Sequence, residues 1–122
     1  MTKLPAIKAV IILPTEKEDR TLYLLLEDFE FNGVVVPKGF VSDGATIPRI
    51  FWAILPPVDR YFPAALVHDY LLGQVDRDEA DAAFKEALKL LNIRRYRIYS
   101  MYGAVRLYSN WKKLLTKIKN LL

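Results

Sequence analysis

Residues 63–72 read Pro-Ala-Ala-Leu-Val-His-Asp-Tyr-Leu-Leu. Pro63 suits the first turn of a helix, where its missing N–H costs nothing, and Gly73 is a natural stop. Between them the segment is apolar on nearly every side, which marks a central, buried helix. His68 has Ala64, Ala65, Leu71 and Leu72 as its helical neighbours, and Asp69 has Ala65, Leu66, Leu72 and Gly73. Burying a neutral polar group without a partner costs on the order of 2–7 kcal/mol, and a charge costs more. His68 and Asp69 must therefore be paired, bind a metal, or line a wet cleft.

Downstream, Asp76 fits a helix N-cap and Glu79 completes a capping box, so a second helix is predicted over Arg77 to Leu91. Ala80, Ala83, Phe84, Ala87, Leu88 and Leu91 form its apolar stripe. Capping and the helix dipole account for Asp76, Asp78 and Glu79. They do not account for Asp81, at the edge of the stripe. The link from Gly73 to Asp76 is short, so the two helices pack as neighbours and Asp81 is expected to meet His68. A third helix is predicted from Arg94 to about Asn120, with Gly103 as a place to kink. Its stripe is read as Ile98, Met101, Val105, Tyr108, Trp111, Leu115, Ile118 and Leu122.

Upstream, Ala6 to Leu13 and Thr21 to Leu26 read as strands. Phe29 to Phe31 and Val34 to Val36 flank Asn32-Gly33, the dipeptide suited to a type I′ hairpin. Pro37-Lys38-Gly39 is a turn, and Phe40 to Asp59 is irregular but apolar. The expected fold is α+β, a small, mostly antiparallel sheet packed on three helices. It forms a single domain over 1–122, with sheet 1–36, motif loop 37–59 and helices 60–122. Phe51 and Trp52 are expected between sheet and helices.

Composition narrows the function. The chain of 122 residues suits one core, and its 52% hydrophobic content is that of a folded protein. With no cysteine there is no disulfide, thiolate metal site or cysteine nucleophile. No apolar run reaches the length of a membrane span. Pro5 and Lys8 interrupt the apolar start, so no signal peptide is expected and the host cytoplasm is the expected location.

A second polar group stands in the loop: Ser42, Asp43, Gly44 and Thr46. A Gly beside an Asp makes a tight turn that can aim a carboxylate or a row of N–H groups inward. Two readings of these residues with His68, Asp69 and Asp81 stay open. One is a core histidine satisfied by a nearby acid. The other is a water-activating base, His68 with Asp81, beside a hard-metal site for Ca or Mg built on Asp69 and Asp43. Zinc fits poorly with one His and no Cys.

The runs Val36-Pro-Lys-Gly-Phe-Val-Ser-Asp-Gly-Ala-Thr-Ile-Pro48, Ala64-Ala-Leu-Val-His-Asp-Tyr70 and Glu79-Ala-Asp-Ala-Ala-Phe84 resemble the successive motifs of DUF1353. These are small proteins encoded largely by phages and prophages, with no function to carry over. The resemblance, over roughly Phe29 to Leu107, implies that Asp43, His68, Asp69 and Asp81 are motif positions. The family pattern often has a Tyr where Leu72 stands, which argues against a phenol there. A weaker local likeness is to phospholipase A2, whose helical His-Asp pair activates water and binds calcium. A later acid orients the His, in an Ala-Asp-x-x-Phe-like segment of the compact viral members. That likeness implies His68 as base, Asp69 as calcium ligand and Asp81 as orienting acid. The glycine-rich calcium loop is missing, Gly44 being a poor substitute, and so are the usual disulfides.

The third helix carries Arg106 and Trp111 among eight basic residues from Arg94 onward, with no acid. Its readings are an anionic membrane surface, a protein partner, nucleic acid, or a solvated face with snorkelling stems. Nucleic acid is the weakest of the three partners. Two functions follow. The first is a phage-derived accessory or virion-associated interaction module with a buried His/Asp cluster, which needs no unproven chemistry. The alternative is a small hydrolase using a His68–Asp81 dyad. An open cleft at His68 favours the hydrolase, and a sealed, fully hydrogen-bonded His68 favours the module.

Overall fold

The computed structural model describes residues 6–44 and 61–122. Strands β1 (Ala9–Ile12), β2 (Leu22–Leu25), β3 (Phe29–Phe31), β4 (Val34–Val36) and β5 (Val41–Ser42) precede helices α1 (Phe62–Leu72), α2 (Arg77–Leu90) and α3 (Arg95–Leu121). Every strand pair is antiparallel. The architecture is the expected α+β one, with strands first and helices after.

The strands form two sheets where one was expected. One has the order β1-β2-β5 and the other is the β3-β4 hairpin. The hairpin turns at Asn32 (φ 52°) and Gly33 (φ 78°), the two positive angles that a type I′ turn requires. Its register sets Phe29 opposite Val36. Both are buried in one cluster with Leu25, Leu66 and Val67, so the hairpin seats on α1. The segment after Gly39 is not wholly irregular, since β5 pairs Ser42 with Tyr23 and Val41 with Leu24. A strand of two residues has no periodicity to read. It exists because β2 offers an unpaired edge, and it delivers Ser42 and Asp43 to the helices.

Helix α1 is central, as its composition demands. Pro63 to His68 are buried without interruption. Leu66 and Val67 face the strands. Ala64 joins Phe84, Ala87, Leu88, Leu91, Ile98, Met101 and Val105 in a second cluster that holds the three helices together. Asp76 caps α2 by accepting from the Glu79 N–H at 2.8 Å.

The stripe predicted for α3 holds only in its first half. Its buried residues are Ile98, Met101, Ala104, Val105 and Ser109. Tyr108, Trp111, Leu115, Ile118 and Leu122 are exposed, as is every residue from Asn110 onward. Two things end the burial, the length of α3 and the direction of its later apolar residues, which turn away from the core-facing side. Helix α2 has 14 residues and α3 has 27. At about 1.5 Å per residue, α3 is roughly twice as long as the helix it packs on. It runs through Gly103 without a break in the helix. The expected placement of Phe51 and Trp52 lies outside the described residues.

Candidate functional site

The site is assembled from all three helices and the turn after β5. His68 of α1 is 3% exposed, and its Nε2 lies 2.6 Å from Oδ1 of Asp81 on α2, which is 0% exposed. The other Asp81 oxygen accepts from the Ser109 hydroxyl at 2.7 Å and from Arg106 Nη1 at 3.0 Å, both on α3. Arg106 also donates to Asp78 Oδ1 at 2.8 Å, and Lys113 bonds the same oxygen. One buried carboxylate thus joins three helices.

Burial pushes the Asp81 carboxyl up, but the hydrogen bonds from His68 and Ser109, the His68 charge and the Arg106 bond together hold it below its ordinary value. Asp81 is therefore a carboxylate, an acceptor only. That fixes the proton of a neutral His68 on Nε2 and leaves the lone pair on Nδ1. Nδ1 is buried and has no hydrogen-bond partner among the described residues. The Phe84 ring packs against the imidazole, with centroids 5.2 Å apart.

The turn after β5 meets α1 beside this pair. The buried Ser42 accepts from the Gly44 N–H at 3.0 Å and hydrogen-bonds the Asp69 carboxyl. Gly44 has φ 68°, and a Cβ there would stand 3.2 Å from the Phe62 ring. Both facts call for glycine. Asp43 bonds Arg20 at 3.0 Å. Burial raises the Asp69 carboxyl, and the Asp43 charge adds to this, against the Ser42 bond and the charges of His68 and Arg20. A narrow cleft of about 70 Å³ is lined by Asp43, His68, Asp69, Leu72, Tyr108 and Ser109, among others.

The structure thus brings together His68, Asp81, Asp69, Asp43, Ser42 and Gly44. Arg106 belongs to the same network as a partner of Asp81. Trp111 stands apart, 54% exposed on the overhang of α3. Thr46 lies outside the described residues. Two members escaped the sequence reading. Ser109 is one, although a serine four residues after Val105 and eight after Met101 signals a hydroxyl on a core-facing stripe. Arg20 is the other, and nothing in its local sequence ties it to Asp43.

The site expected on Asp69 and Asp43 is one for a hard cation. Such an ion takes about six to eight oxygen ligands. Among the described residues no group of three or more His, Asp or Glu side chains is placed to hold a metal. Asp43, one of the two expected ligands, is already bonded to Arg20.

Residues 23–105 match the family described as protein of unknown function (DUF1353), and the chain belongs to that family. Among its relatives is the uncharacterized protein y4jT of Sinorhizobium fredii (strain NBRC 101917 / NGR234), 33% identical over 114 residues. The match covers 86% of this chain and 34% of the relative, so the chain spans about a third of that protein's length. No solved structure matches the chain.

Proposed function

We propose that the cleft at His68 is a water-activating site of a small hydrolase. One observation carries this reading. The imidazole is held at Nε2 by a buried, fully engaged carboxylate, while Nδ1 keeps a lone pair with no donor opposite it among the described residues. A purely structural histidine has no need of a vacant nitrogen, because an unmet buried polar atom costs on the order of 1–3 kcal/mol. Nδ1 is covered in this conformation, so water reaches it only when the wall of the cleft shifts.

The chemistry follows from the geometry. Nδ1 accepts a proton from water as the water oxygen attacks a carbonyl or phosphoryl centre, and the imidazolium then returns that proton to the leaving group. Asp81 is the positioning residue. It fixes the tautomer and stabilises the imidazolium, as Ser109 and Arg106 in turn fix Asp81. No step runs through a metal.

The test needs no known substrate at first. Long-range ¹H–¹⁵N spectra of His68 should show the proton on Nε2 at neutral pH, and an Nδ1–H tautomer would falsify the base assignment. Chromogenic carboxylic esters and phosphodiesters then give the reaction class. His68→Asn should abolish turnover, and Asp81→Asn should reduce it and change its pH profile. Turnover that survives His68→Asn would remove the reading.

The burial of His68, at 3% exposure, favours a second reading. In it the cluster only ties helices together, and the chain is an accessory interaction module of the phage or prophage kind that the family resemblance implies. It would then work in the host cytoplasm or the virion against another protein. A vesicle-free pull-down partner that His68→Asn retains, with no hydrolysis of any ester class, would favour it.

A further inference from the structure

We infer that the overhang of α3, from Asn110 onward, is a docking face for an anionic membrane surface. It begins where the core ends. The buried face of α3 is carried by Ile98, Met101, Val105 and Ser109. The overhang's own apolar residues are Trp111, Leu114, Leu115, Ile118 and Leu121, all exposed. At about 100° per residue they form one stripe about 120° wide, its centre rotated by roughly 150° from that of the core-facing one. The stripe is therefore not a continuation of the core that ran out of partners. It looks in another direction.

The charges choose the occupant. Lys112 and Lys119 flank the stripe on one side and Lys113 and Lys117 on the other, and no acid occurs from Arg94 to Leu122. An apolar stripe rimmed by lysines, with a tryptophan on it, matches a bilayer interface. The lysine stems follow the hydrocarbon up to anionic headgroups, and the indole sits at their level. A second copy docking through the same stripe would bring lysine against lysine with nothing to balance them. Nucleic acid would meet the lysines but leave the aliphatic side chains in water. No helix among the described residues is long and apolar enough to cross a membrane, so α3 would lie on the surface. The face is independent of the reading of His68.

The test is sedimentation of the full chain with sucrose-loaded vesicles. The protein should pellet with equal parts phosphatidylcholine and phosphatidylglycerol, stay soluble with phosphatidylcholine alone, and be released by salt as the charges are screened. Changing Lys112, Lys113, Lys117 and Lys119 together to Gln should weaken binding by at least about a hundredfold. The pair Leu114→Asp and Ile118→Asp should abolish it, and His68→Asn should leave it unchanged. Tryptophan emission should shift to the blue on binding in Trp52→Phe but not in Trp111→Phe. Three results would overturn the inference. They are vesicle binding that both stripe and lysine variants retain, no binding by the parent chain, and a dimer that Ile118→Asp dissociates without vesicles. Oligonucleotide binding without vesicle binding would assign the lysines to nucleic acid instead.

Discussion

The two halves of α3 make opposite use of one helix. Up to Ser109 it is fastened. A hydrophobic stripe faces α2, and Ser109 and Arg106 close the shell of the Asp81 carboxylate. Beyond Ser109 no residue is buried, although the overhang is as rich in leucine and isoleucine as the part that packs. Apolar periodicity alone does not decide burial. The direction of the stripe and the reach of the partner helix do. The ion pair of Lys113 with Asp78, in the first turn of α2, marks the last bond between the helices. Stability should accordingly concentrate in the first half, and surface behaviour in the second.

The hardest blow to that contrast is Asp81→Ala. It strands His68, Ser109 and Arg106, two of them buried, and should destabilise by about 3–5 kcal/mol in urea unfolding. A loss below 1 kcal/mol would mean that the carboxylate is not the joint between the helices. Ser109→Ala should cost about 1–2 kcal/mol, since it removes one donor from a buried acceptor that keeps two others.

Acidity separates the buried Asp81 and the half-buried Asp69 by sign. The folded-state value of Asp81 lies below its unfolded value. Its contribution is thus present above the ordinary carboxyl range and is lost as pH falls through the lower, folded value. Asp81→Asn should flatten the acid limb of a stability profile. Asp69 is shifted the other way, so its folded state holds the proton longer and its ionisation opposes folding as pH rises past the carboxyl range. Asp69→Asn should therefore gain stability near neutrality and nothing below pH 4, roughly the unperturbed value. Equal acid limbs for the two variants would refute the assignment.

The smallest effects belong to the overhang. Replacing its four lysines by Gln should change unfolding free energy by less than about 0.5 kcal/mol per site, because exposed charges seldom matter more. Calcium or magnesium should leave the melting temperature unmoved, since among the described residues the acids at the cleft do not form a cage. A cation-dependent rise lost in Asp69→Asn would reopen the metal reading.

Much of this was legible in the chain. A helix apolar on all sides with one histidine announces a buried pair, and subtracting the acids explained by capping leaves Asp81 as the partner. The Asn32-Gly33 turn announces its hairpin. What escaped is what needs distance in space. Arg20 reaches Asp43 across 23 residues and Arg106 reaches Asp81 across 25, and neither has a local signal. The end of burial in α3 depends partly on where α2 starts, which the residues of α3 do not record.

Among the described residues strand β1 is an edge, and its outer row of N–H and C=O groups has no neighbour in the sheet. Val10, Ile11 and Ile12 on it are exposed, with Leu13 beyond. A bare β-branched edge is a template for any stray strand. Lys8 on one flank and Pro14 on the other act as gatekeepers, confining that template to a length too short to nucleate a fibre with ease. Removing either, by Lys8→Val or Pro14→Val, would lengthen it and make the chain more prone to precipitate on concentration.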